Sequence, residues 1–104
     1  MKRVFISQPM NGRSNEEIKA EREYIAYKIE EYYKHEKKEP VQVIDSFFED
    51  APHDAKPLWF LGKSLELLST ADIAVFAKGW RSARGCMIEH ECAVAYGIET
   101  IEED

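Results

Sequence analysis

The chain has 104 residues, 44% of them hydrophobic and 33% charged, with a formal net charge of −6. That length supports one domain with its own core and not two. The acidic balance argues against a nucleic-acid-binding surface as the main function, because phosphate backbones need a clustered positive field. It leaves room for a small nucleotide, which helix N-termini and two or three local cations can hold.

No apolar run approaches the roughly 20 residues that a membrane helix needs, so no membrane partner is expected. The start, Met1-Lys2-Arg3-Val4-Phe5-Ile6, is basic and then apolar. Its apolar run stops at Ser7-Gln8-Pro9, too short for a signal core, and reads as a first strand over residues 3–7. A loop with Pro9, Asn11 and Gly12 follows over residues 8–13. Ser14 and Glu17 form the capping-box pattern. It opens a helix to about residue 34 whose inward face includes Ile18, Ile25, Ile29 and Tyr32. The charge run over residues 34–39 is a solvated helix end and turn, stopped by Pro40.

A second strand is expected over residues 41–44, then a long irregular loop from Asp45 to Pro57. Helix two runs over about residues 58–69 with Leu61, Leu65 and Leu68 on one face. Trp59 and Phe60 cover the core where the loop re-enters. The clearest strand is residues 72–77. Helix three runs over about residues 85–96 and ends at Gly97, placed as a C′ glycine. A short last strand covers residues 98–101, and the tail, residues 102–104, frays. Alternation of strand and helix implies α/β architecture: a doubly wound parallel sheet of about four strands with three helices. Ligands bind such sheets beyond the C-terminal strand edges, at the switch point.

Cys86 and Cys92 lie six residues apart, about 9 Å along one helix, too far for a disulfide. They read as small core-facing groups. Free thiols fit a reducing cytoplasm, and no Cys/His spacing calls for a metal.

Three segments should meet at the ligand edge. The first, Ser7-Gln8-Pro9-Met10-Asn11-Gly12-Arg13, runs into a helix N-terminus. Gly12 would allow close backbone approach, and Arg13 suits a phosphate or carboxylate. An ordinary strand-to-helix turn is the competing reading. After strand two, Asp45 suits a sugar hydroxyl or simply initiates a turn. The third segment holds Gly79, Trp80, Arg81, Ala83, Arg84, Gly85 and Glu89. Trp80 suits stacking on a base, and Arg81 and Arg84 suit an anion. Glu89, one turn into helix three, has two readings. It is a helix-end charge on the surface, favoured by the helix dipole, or a carboxylate that attacks an anomeric carbon or stabilises an oxocarbenium ion. His90 points about 100° away from Glu89 and reads as a surface or packing residue.

Taken together, Ile-Ser-Gln-Pro-Met-Asn-Gly, Ala-Asp-Ile-Ala-Val-Phe and Gly-Trp…Arg-Gly-Cys-Met-Ile-Glu-His-Glu-Cys-Ala…Tyr-Gly resemble the nucleoside 2-deoxyribosyltransferase superfamily. The closest likeness is to its short DUF4406 branch of bacteria and phages, over residues 4–101. The resemblance implies a Rossmann-like or flavodoxin-like sheet in the cytoplasm. It implies homo-oligomers, dimers or higher, whose subunits complete each other's pockets, and no cofactor. It also implies cleavage or transfer of the N-glycosidic bond of a (deoxy)nucleoside or its 5′-monophosphate, with Glu89 as the nucleophile. The alternative is a non-catalytic nucleotide-binding module of the same fold. Three positions depart from the characterised enzymes. Ser64 stands where many have a base-contacting Asp, Ala83 where an Asp or Ser contacts sugar or phosphate, and Phe5 where a Tyr approaches the nucleophile. The chain also ends short of their last strand and tail.

Overall fold

The structure, a computed structural model, describes residues 1–103. Its elements are β1 (Lys2–Ser7), α1 (Asn15–Tyr32), β2 (Val41–Val43), α2 (Pro57–Leu68), β3 (Ile73–Phe76), α3 (Arg84–Ala95) and β4 (Glu99–Glu102). A π-helical turn (Tyr33–Lys37) extends α1, and a 3-10 turn (Trp80–Ser82) precedes α3. The four strands form one sheet, all parallel, in the order β2-β1-β3-β4. This is the expected α/β class, a doubly wound sheet compatible with a Rossmann-like or flavodoxin-like fold.

β1 and β3 are central, so both of their faces are covered, which is why they read as nearly unbroken apolar runs. Val4, Ile6, Ile73, Val75 and Ala77 pack with Ile25, Ile29 and Tyr33 on the α1 side. Phe5, Ala74 and Phe76 pack with Leu68, Cys86 and Ala93 on the side of α2 and α3. Strand periodicity of two sends alternate residues to the two layers.

Local chemistry sets the helix ends. The Glu17 N–H donates to Ser14 Oγ, and the Ser14 N–H donates to Glu17 Oε1, each at 3.1 Å. Pro57 opens α2, where its missing N–H costs nothing. Past α3, Gly97 takes φ 74°, the left-handed position that glycine fills without a Cβ penalty.

Several expectations need correcting. The inward face of α1 ends on Tyr33, which is buried, and not on Tyr32, which is exposed. Tyr33 continues the four-residue step from Ile25 and Ile29, whereas Tyr32 falls one residue short of it. On the expected apolar face of α2, Leu61 and Leu65 are half-buried and Leu68 is buried, with Leu65 packed against the same core cluster as Leu68. Trp59 and Phe60 do not cover the core. They stack edge-on with each other, and Trp59 does so with Phe48, in a separate aromatic group. The tail is more ordered than expected: Glu102 closes β4 and the Glu103 N–H donates to Phe76 O at 2.8 Å. The expectation for Asp104 lies outside the described residues.

Phe76 is fully buried in the α2/α3 layer. Phe76→Ala should lower unfolding free energy by about 3–5 kcal/mol, read as a lower denaturant midpoint. A loss under about 1 kcal/mol would contradict this packing.

Candidate functional site

The chain steps from β1 outward to β2 on one side and from β3 outward to β4 on the other. The loops leaving the C-terminal ends of β1 and β3 therefore diverge to opposite faces, and the gap between them is the switch point. Ser7 and Phe76 are paired there. The two loops touch: a Cβ on Gly79 would lie 3.6 Å from Pro9 Cγ. Gly79 itself has φ 88°, which favours glycine.

Glu89 reaches this edge from the α2/α3 layer. The buried residues of α3 are Cys86, Glu89 and Ala93. They are spaced as an inward helical stripe. Glu89 is 7% exposed, so the surface helix-end reading fails. Ser7 Oγ, the last side chain of β1 on that face, donates to Glu89 Oε1 at 2.6 Å. Ser64 of α2 also faces this carboxylate, and its hydroxyl favours the charged form. Burial pushes the Glu89 carboxyl above the ordinary carboxylate range, opposed by the hydroxyls of Ser7 and Ser64. Desolvation thus outweighs the helix-dipole stabilisation expected from its position in the first turns of α3.

Cys86, one turn earlier, is also buried, and its thiol is pushed up to about 11, first by burial and next by the negative charge of Glu89, against a lowering by its bond with Ser7. It is therefore a neutral packing group. Cys92 is half-buried, and both cysteines are free. Among the described residues no group of three His, Cys, Asp or Glu side chains is placed to hold a metal.

The first loop is knitted into α1. Arg13 Nη1 donates to Pro9 O at 2.9 Å and pairs with Glu21 Oε1 at 2.7 Å. Gln8, buried, donates to Ile18 O and to Glu21 Oε1. Met10, Asn11 and Gly12 form the exposed tip, with Gly12 at φ 77°.

Arg22 was not singled out from the sequence. Its guanidinium donates to Gln8 Oε1 at 2.9 Å and to Ser46 Oγ at 2.7 Å, joining the loops after β1 and β2. Burial lowers its pKa and the charge of Asp45 opposes this. The available signal was its spacing: Ile18, Arg22, Ile25 and Ile29 form one helical stripe. Asp45 itself is exposed, and its Oδ1 accepts the Phe47 N–H at 3.4 Å, as in a turn.

Trp80 is buried. His90 stacks on its ring at 4.2 Å, Phe76 lies at 5.5 Å, and the Arg81 guanidinium sits over it at 4.5 Å. His90 Nε2 and Glu102 Oε2 are 2.5 Å apart, and Arg81 pairs with Glu102 at 3.6 Å. His90 is thus a packing residue. Trp80 Nε1 is a buried side-chain polar atom without a hydrogen-bond partner among the described residues. Ala83 is the N-cap of α3 and supplies no capping side chain. Arg84 is exposed, and a Cβ on half-buried Gly85 would meet nothing within 4 Å.

The structure therefore brings Ser7 and Glu89 into direct contact, with Ser64 facing the same carboxylate, and sets Pro9 beside Gly79. Asp45 and Arg13 are held in other contacts. Two surface clefts of about 520 and 450 Å³ lie elsewhere, one between the end of α1 and β2, the other beside Trp59 and the loop before it. No helix among the described residues is long and apolar enough to cross a membrane. Comparison of the chain with family models, curated proteins and solved structures found no match.

A carboxyl whose folded pKa lies above its unfolded value stabilises the fold below the unfolded value, and that contribution is lost as pH rises through the folded value. Glu89 is such a group, raised from 4.5. Glu89→Gln should therefore gain thermal stability over the native chain as pH rises from about 4 to about 7. A melting-temperature difference that stays flat or reverses over this range would contradict it.

Proposed function

We propose that the protein cleaves or transfers the N-glycosidic bond of a (deoxy)nucleoside or nucleoside 5′-monophosphate, with Glu89 as nucleophile. One observation carries the reading. A carboxylate is buried at the C-terminal edge of a doubly wound sheet, at the switch point, and is held by Ser7 Oγ at 2.6 Å. A purely structural acid gains little there, because burial works against its charge. The sequence resemblance to the nucleoside 2-deoxyribosyltransferase superfamily supports the same residue.

In the proposed reaction Glu89 Oε bonds to C1′ as the C1′–N bond breaks, and the base leaves with the bonding electron pair and takes up a proton. Water or a second base then attacks C1′ and releases the carboxylate. The positive charge that develops on the sugar is stabilised by the adjacent carboxylate. Desolvation, which raises the Glu89 pKa, also makes the ionised form a stronger nucleophile. No cofactor enters these steps. Phe5 is a core residue of the α2/α3 layer, and Ala83 brings no polar group. These two positions favour the second reading, a nucleotide-binding module without turnover.

The protein is further proposed to work in the cytoplasm as a homo-oligomer, a dimer or higher. Leu58 on α2, Met87 and Val94 on α3, and Tyr96 just beyond are large apolar side chains at least half exposed. They support self-association through these adjacent helices.

A chromatographic screen of nucleosides, nucleotides and NAD-type dinucleotides should detect free base. Glu89→Ala should reduce release by about 10³-fold or more while ligand binding persists. The rate should fall as pH drops through the raised Glu89 pKa, because the nucleophile must be ionised. Full turnover by Glu89→Ala would overturn the mechanism. Ligand-induced thermal stabilisation without base release would establish the binding module instead. In sedimentation, the protein should run as a dimer or larger, and Val94→Asp should shift it toward monomer. A monomeric native chain would refute self-association.

A further inference from the structure

Glu89 has no ion-pair partner among the described residues, and no cation contributes to its pKa shift. The groups that face it are Ser7 from β1, Ser64 from α2 and, on its own helix, Cys86. A buried carboxylate without a cation is tolerated only where neutral donors satisfy it. Ser7 is 1% exposed, and the strand carrying it has neighbours on both sides. Its single hydroxyl proton is committed to Glu89 Oε1 at 2.6 Å. Ser64 faces the same carboxylate from a separate element, α2.

We propose that Ser7 is a positioning residue, which fixes the orientation and charge of the Glu89 carboxylate by donating a hydrogen bond to it from β1, with the Ser64 hydroxyl of α2 as a second, auxiliary support. Ser7 was read from the sequence as a substrate contact. Its burial and its bond make it the support of the reacting group instead. Ser64 is a short hydroxyl donor where a carboxylic side chain would set a second negative charge against Glu89. Each hydroxyl stabilises only the charged form strongly, because bonds to ionised acceptors are about twice as strong as neutral ones. The pair therefore opposes the burial that disfavours the charged carboxylate. The inference rests on reading Glu89 as the nucleophile.

The test is a ¹³C NMR titration of the Glu89 side-chain carboxyl in glutamate-labelled protein, assigned with Glu89→Gln. Amide spectra serve as the check that each variant folds. Ser7→Ala should shift the titration upward, by about tenfold in the ratio of ionised to neutral carboxyl at a fixed pH. Ser64→Ala should shift it in the same direction, and Ser64→Thr, which keeps a hydroxyl, should restore it. Ser7→Cys, close to isosteric but a weak donor, keeps the test sharp if Ser7→Ala does not fold. A Glu89 titration that is unchanged in folded Ser7→Cys and Ser64→Ala protein would overturn the proposal. The titration needs no substrate, so its failure is distinct from failure of the glycosidase reading. Base release by a protein whose titration ignores both serines would leave Glu89 as nucleophile and remove the serines from their role.

Discussion

The hydrogen bond between Ser7 and Glu89 joins the last residue of a central strand to a helix 82 positions later in the chain. It forms because β1 and β3 are neighbours and because α3 returns over the face that Phe5 and Ser7 share. The inward stripe of α3 then has three buried positions, and the middle one is an acid. An acid there is a cost to folding, which burial imposes and the two serine hydroxyls reduce. Nothing in the packing of Cys86 and Ala93 requires a carboxylate between them.

The opposite face of the sheet repeats the pattern with the other sign. The inward stripe of α1 carries Arg22 among isoleucines, and this guanidinium is satisfied by two neutral acceptors, Gln8 and Ser46. Those contacts stiffen the loops after β1 and β2, and Gln8 directly follows the residue that holds Glu89. Two other cations at the edge have acidic partners: Arg13 pairs with Glu21 and Arg81 with Glu102. The loop after β3 is tied down by the stack of Arg81 over Trp80 and of Trp80 on His90. The result is a hydrogen-bonded and stacked frame around Glu89, the one carboxylate buried among the described residues.

Much of the frame was legible in the sequence because it is local. Residues 72–77 read as a strand from their apolar run, Ser14 and Glu17 read as a capping box, and Gly97 read as a helix stop, each from chemistry within a few positions. Tyr33 was missed for a local reason too, since the inward face of α1 runs on in four-residue steps into a π-helical turn. Glu89 was found, but its burial was not, although the spacing of Cys86, Glu89 and Ala93 contained it. Arg22 was passed over on the same kind of stripe. The meeting of Ser7 with Glu89 and Ser64 has no local signature. It follows from strand order and from which side each helix crosses, and those are set by tertiary packing. Trp80 shows the same limit, since only the fold puts His90 and Arg81 against its ring.

The claim that Glu89 becomes covalently bonded to a sugar is open to direct capture. A 2′-deoxy-2′-fluoro-arabinosyl nucleoside carries an electron-withdrawing fluorine that slows departure of the sugar from the carboxylate. Incubation followed by peptide mass spectrometry should place one sugar mass on the peptide that contains Glu89, with base released in equal amount. Base release with no adduct at Glu89, or an adduct on another residue, would contradict the assignment.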